Sequence, residues 1–497
     1  MNRYGSTVSC FRALLIVCMG LLPLAPSLSF GQTVAAANCH LSFSSPLFIP
    51  ISGTLQELIV DPQCQHVFVT NATTNRVEVI SLVTGHLGAP IDVGSNPTGI
   101  DVTSDGSTLY VATTGANAVS VVNIAQNVQS GTIPVAPQKF TDDTPFSIAV
   151  ANNGLAFLST TFAGSGFGGR LLQLNLATGA VTLRKDFYIG GTTTEATVLR
   201  ASSDKTAIGI VAGDISSGPV FAYSVATNKF TPEMDTDAFV SRVATNGGVI
   251  LANDFELGLG ATLEQIGVFP AVGAEELFDV AVDPSGKVGY RTDTAIDGGG
   301  TNSVDVLDLQ RVLVMGSLPL GDTVGSTFPT VSGTGHMAIS DDGSLIAVIT
   351  DHGVSLVQPN PVSFVQFAKF DSSVFLDTDR PGRSARLRVG GYFVPAAADG
   401  VDLAIQNFTL NVGAYSITVP AGTFSRDKGR YMYQTEMLSV TVRPGNGGGY
   451  EFEVAANGVT LNGSALPILV TLAVGTNEGS VTLSETQAHF APTGADQ

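Results

Sequence analysis

A chain of 497 residues exceeds what one ordinary hydrophobic core supports, so at least two domains are expected. Hydrophobic residues make up 44% and charged residues only 13%, with 56 glycines and abundant Thr, Ser, Val and Asn, which favours strands and tight turns over surface helices. A formal charge of −19 repels phosphate backbones and argues against nucleic acid as a partner.

Residues 1–31 read as an export signal. Arg3 and Arg12 supply the positive end, Ala13 to Leu24 the apolar run, and Ser29-Phe30-Gly31 a small-x-small cleavage site. The apolar run is shorter than a membrane span, a retained anchor being the alternative, and no long apolar segment follows it. Cleavage takes the formal charge from −19 to −21 and leaves two of the four cysteines, Cys39 and Cys64. In an oxidising compartment such a pair reads most simply as one disulfide, two free thiols being the alternative. It would close a loop of about 25 residues, worth roughly 3 kcal/mol on the chain-entropy model.

From about residue 52 to 358 one pattern recurs: apolar strand, small polar turn, second strand, loop, third strand. The first turns are Asp61-Pro62-Gln63, Ser104-Asp105-Gly106, Asn152-Asn153-Gly154, Ser202-Ser203-Asp204, Thr245-Asn246-Gly247, Pro284-Ser285-Gly286 and Asp341-Asp342-Gly343. Their spacing of roughly 40 to 57 residues matches a four-stranded propeller blade. Second strands follow as FVTN (Phe68 to Asn71), YVAT (Tyr110 to Thr113) and YRTD (Tyr290 to Asp293), and third strands such as Arg76-Val77-Glu78-Val79 alternate with period two.

Pro97 to Val135, PTGIDVTSDGSTLYVATTGANAVSVVNIAQNVQSGTIPV, resembles the YVTN-type β-propeller repeats of exported bacterial and archaeal proteins. The fourth and fifth repeats depart from it, with Ile208-Gly209-Ile210 where an aromatic-Val pair should stand. The last repeat stops at Gln358 after three strands, and Leu41 to Ile51 is a strand-like segment placed to supply its fourth and seal the ring. The expectation is an all-β chain: a seven-bladed β-propeller over 39–360 closed by an N-terminal strand, a C-terminal β-sandwich over 362–491, and a tail of 492–497. The sandwich reading rests on alternating runs such as Leu403 to Val412 and Tyr450 to Val454, with Gly445 to Gly449 as a hairpin loop.

Chemistry is sparse. G-x-S-x-G, H-E-x-x-H, C-x-x-C and the Walker A loop are absent, and six His with two mature Cys give a tetrahedral zinc site little to draw on. Gly164 to Gly169 satisfies G-x-G-x-x-G, but a strand-like Arg170 to Leu174 follows where a dinucleotide site needs a helix. Asp351-His352 would place two adjacent side chains on opposite faces of a strand, which weakens an acid/base pairing.

Loops opening on one face of the disc are acidic, and the candidate binding face comprises Asp142, Asp143, Asp214, Asp254, Glu256, Asp293, Asp297 and Asp351. Such carboxylates hold Ca²⁺, attract a basic partner, or simply keep an exported protein soluble. The leading functional expectation is a non-enzymatic scaffold that binds a protein, glycan or cell-surface partner. It would be periplasmic, secreted or on the surface of a bacterium. The alternative is a propeller enzyme of lactonase-like or quinoprotein-like type acting at the central channel, since seven-bladed relatives include both.

Overall fold

The computed structural model describes residues 39, 45–136, 144–161, 166–194, 196–213, 215, 218–236, 240–269, 276–294, 301–325, 335–359, 365–377, 385–396, 400–413, 415–459, 467–475, 477–484 and 488–491. The expected export signal over residues 1–31 and the expected tail over 492–497 lie outside them. No described helix is long and apolar enough to cross a membrane.

Among the described residues of 47–357, seven antiparallel sheets of four main strands succeed one another as blades of a β-propeller. Their innermost strands are Leu55–Val60, Pro97–Val102, Thr144–Val150, Thr197–Ala201, Val243–Asn246, Glu276–Val282 and Met337–Ile339. Each lies beside the next, and the seventh returns to the first, where Leu58 N donates to Gly335 O at 3.3 Å. The seventh blade takes its outer strand from the N-terminus: Leu47–Pro50 pairs antiparallel with Gly353–Val357, Leu47 opposite Leu356 and Pro50 opposite Gly353. The closing strand expected over Leu41 to Ile51 is thus the shorter Leu47–Pro50, and residues 40–44 lie outside the described set.

The turn motif has a mechanical reason. Asp105 accepts from Thr103 Oγ1 at 2.6 Å and from the Ser107 amide and hydroxyl at 3.0 and 2.8 Å. Asp204 holds Ser202 and Thr206 in the same way, and Asp342 holds Ser340 and Ser344. A carboxylate between two hydroxyl residues clamps the turn, and glycine takes the left-handed position in the turns at Gly106 and Gly343, with φ +68° and +73°. Blade five departs because Gly247 and Gly248, at φ +55° and +84°, make a two-residue hairpin instead. Blade four departs at Gly209 because a Cβ there would meet Val243 Cγ2 at 2.8 Å, leaving no room for an aromatic ring.

Apolar side chains fill each gap between neighbouring blades. Leu58, Val67, Leu345 and Val354 close the seam between blades seven and one, while Phe157, Leu199, Ile208 and Phe221 pack blades three and four. At about 1.5–3 kcal/mol for each fully buried Val, Leu or Phe side chain, this packing is the main term holding the ring together.

Two further sheets form the sandwich. One has five strands, with Phe408–Val412 between Tyr415–Val419 and Ile468–Val474; the other has seven, with Ala385–Val394 between Lys369–Asp377 and Tyr450–Val459. Val389, Phe393, Phe408, Leu410, Phe452 and Leu472 lie in the core between them. The five-stranded sheet turns its other face to the propeller, where Arg311 in the last hairpin of blade six pairs with Asp308 at 2.6 Å and with buried Glu478 of the sandwich at 3.0 Å. Asn411 Nδ2 donates to the carbonyls of Arg311 and Val312. Val312 sits at φ +55°, where the corresponding hairpins place Gly85, Asn127, Gly179 and Asn228. For a β-branched residue this conformation costs on the order of 1–3 kcal/mol, offset by its burial and by the contact with the sandwich.

Cys39 and Cys64 form a disulfide with Cα atoms 5.1 Å apart, tying the chain ahead of the closing strand to the first turn of blade one. Replacing both by Ser is expected to lower stability by about 3 kcal/mol in denaturant unfolding, with reduced wild type unfolding at the same midpoint as the variant. Equal midpoints for oxidised and reduced wild type would contradict this.

Candidate functional site: the central channel

The innermost strands are apolar except where they meet the axis. β-bulges, which re-aim side chains, occur at Leu55/Leu58, Pro97/Ile100, Pro145/Ile148 and Leu277/Asp279. Counted back from the residue whose carbonyl closes each first turn (Asp61, Thr103, Ser202, Asp283 and Ser340), Glu57, Asp279 and His336 lie four residues before it, and Asp101 and Arg200 lie two before it. Blade four alone supplies two cations that cross the channel. Arg200 reaches Glu57 of blade one at 2.9 Å and Asp279 of blade six at 3.3 Å, and donates to Met337 O of blade seven at 3.3 Å. Lys205 reaches Asp101 of blade two at 2.6 Å.

Each carboxylate is further saturated by backbone amides. Glu57 accepts from Ile100 N at 3.0 Å, Asp101 from Val150 N at 2.6 Å, and Asp279 from His336 N at 2.5 Å and Met337 N at 2.6 Å. Burial alone would lower the Arg200 pKa, but the charges of Glu57 and Asp279 outweigh it and raise it further. Arg242, fully enclosed, is shifted down by burial, and His336 is held well below its ordinary range by burial and by the nearby Arg242 and Arg200 guanidiniums. His336 is therefore neutral at pH 7. Glu57, Asp101 and Asp279, with Asp341 beside Lys205, thus face Arg200, Lys205 and Arg242 on the axis of an acidic chain. The free space beside them is about 90 Å³, lined by Glu57, Asp101, Arg200, Lys205, Asn246 and Asp341 among others.

The acidic face expected from the sequence is only partly described. Asp142, Asp143, Asp214 and Asp297 lie outside the described residues, and Asp293 falls on the strand Val288–Thr294 with its side chain outside them. Asp254 and Glu256 flank one blade-five hairpin but do different things. Asp254 pairs with buried Arg291 at 2.6 Å, and burial raises its pKa. Glu256, expected on a loop, stands instead in the strand Phe255–Leu259 with 1% of its surface exposed and no described partner for Oε2. Asp351 accepts from Thr323 Oγ1 at 2.8 Å and Gly325 N at 3.1 Å, and the neighbouring His352 pairs with Asp322 at 3.1 Å. Among the described residues the one group with metal-ligand spacing is Cys39, Cys64 and Asp342, and its two sulfurs are spent in the disulfide. Gly169–Asn175 is a strand, so the glycine-rich motif before it opens no helix.

No family model matches the chain, and no curated protein matches it. Solved structures to which it is similar include the Kuenenia stuttgartiensis hydrazine synthase, at 14% identity and TM-score 0.47, over 61% of this chain and 94% of that one. Another is the β-propeller domain of Myceliophteria thermophila Cps50 (Swd1), at 10% identity and TM-score 0.46, over 62% of this chain and 98% of that one. At these values the propeller assignment rests on the chain's own sheets.

Two outcomes follow from the charges. Arg200→Met leaves Glu57 and Asp279 buried and uncompensated, so it should cost about 3–5 kcal/mol in denaturant unfolding, with part recovered when Glu57→Gln and Asp279→Asn are added. Burial and nearby Asp308 push Glu256 up to about 8 from its usual 4.5, so the folded chain holds a proton that the unfolded chain releases between those values. Stability should accordingly fall as pH rises through that window and level off above it. Glu256→Gln should remove this slope, gaining on wild type in thermal melts from pH 5 to pH 8. Parallel curves for the two proteins would contradict it.

Proposed function

We propose that this chain is an exported, non-enzymatic propeller scaffold of the YVTN-repeat type, presenting its loop faces to a protein, glycan or cell-surface partner. The observation that carries this reading is the state of the axis. Sites for small ligands occupy about 300–1,000 Å³. The channel leaves about 90 Å³, and its Glu57, Asp101 and Asp279 are paired with Arg200 and Lys205. For Glu57, Asp101 or Asp279 to act as a catalytic group, a buried ion pair would first have to break, at a cost of several kcal/mol. The disulfide and the low lysine content favour an exported, acidic molecule, and the sandwich serves as a second interaction module.

The test is retention of a component of the native cell envelope on immobilised mature protein. Retention should survive Lys205→Met, which alters the channel, and the thermal melt should be unchanged by chelator. Turnover of a lactone or a quinone-dependent oxidation that disappears in Lys205→Met would overturn the reading in favour of an enzyme. A melt lowered by chelator would assign calcium to the acidic loops.

A further inference from the structure

The outer face of the seven-stranded sheet carries a groove distinct from the channel. Its centre is a cross-strand row, Thr441, Glu453, Gly390 and Ser373. On one side runs the row Arg443, Glu451 and Tyr392; on the other, Ala455, Arg388 and Phe375. Arg430, on the strand next to Thr441, completes the wall, its Nη2 at 3.4 Å from Thr441 Oγ1. The floor is low because Gly390 has no side chain: a Cβ there would meet nothing nearer than Phe452 O at 3.9 Å. The space enclosed is about 350 Å³, within the range of small-ligand sites.

We propose that this groove binds a short acidic saccharide, an inference that rests on the scaffold reading and names a ligand for its second module. The charge argues for an anion. Three guanidiniums line one groove of a chain with 23 Lys and Arg and a net charge of −19. Arg443 is partly committed to Glu451 at 2.7 Å, while exposed Arg388 and Arg430 offer forks of the geometry that grips a carboxylate. The remaining groups argue for a hydroxylated ligand: Thr441 and Ser373 donate and accept, Glu453 accepts, and Phe375, 42% exposed, gives a flat apolar surface for a sugar face. Glu451 and Glu453 oppose densely charged polyanions, which leaves a ligand with spaced carboxylates among hydroxyls.

The test compares trigalacturonate with its methyl ester by calorimetry on the full mature protein. Saturable binding of the acid is expected, weakened at least about tenfold by esterification, by Arg388→Gln and by Gly390→Val, which fills the floor without changing charge. No saturation below about 10 mM, equal binding of the ester, or variants that bind like wild type would overturn the proposal. If Gly390→Val misfolds, Arg388→Gln and the ester still decide. Retention of an envelope component by Gly390→Val protein would show the scaffold reading standing where the groove fails.

Discussion

Closure of the ring is the constraint on which everything else rests. Pairing Leu47–Pro50 with Gly353–Val357 gives blade seven its fourth strand and removes an edge that would otherwise be open. The seam is reinforced three ways: by the apolar cluster of Ile49, Leu58, Leu345 and Val354, by the disulfide from Cys39 to Cys64, and by Cys39 N donating to Asp342 at 2.8 Å. Asp342 is also the clamp of the seventh blade's turn, so one carboxylate serves a local turn and a contact 303 residues away. Hydrogen bonds from Ser340, Ser344 and Cys39 outweigh its burial and lower its pKa.

The axial charges exist as pairs only because the ring is closed. Glu57, Asp101, Arg200, Asp279 and Met337 come from blades one, two, four, six and seven, and no local structure brings any two of the side chains together. Burying such ions gains little net stability over an apolar filling. Repeats of similar sequence have many ways to slip. Arg200 makes its pairs with Glu57 and Asp279 only when blades one, four and six stand as they do in the closed ring.

Much of this was legible in the chain itself. Turn chemistry at Asp61, Asp105, Asp204 and Asp342, the alternation in Arg76–Ser81, and the stranded last repeat pointed to a β-propeller and to the need for a closing strand. The axial site was not legible in the same way. A charge inside an apolar run, such as Glu57 in LQELIV or Arg200 in VLRA, reads as an interruption; its meaning appears only when the blades are set around one axis, where Arg200 meets both Glu57 and Asp279. Glu256 was misplaced because adjacency to a hairpin suggests exposure, whereas the strand turns its side chain inward beside Gly267, which pairs with it and is itself covered by Val312. The docking of the sandwich had one signal: a valine at the hairpin position where other blades carry glycine or asparagine.

The closing strand also sets a clock. Leu47 meets Leu356, which is made 309 residues later, so at roughly 5–20 residues per second an apolar N-terminal segment waits some 15–60 s for its partner to exist. Contacts this distant in sequence form slowly even once both ends are present. During that wait the segment is free to pair with the unfinished seventh blade of another copy, and a swapped dimer joined through it would satisfy the same hydrogen bonds. For a ring closed in this way, local concentration before closure bears on correct assembly as well as final stability does.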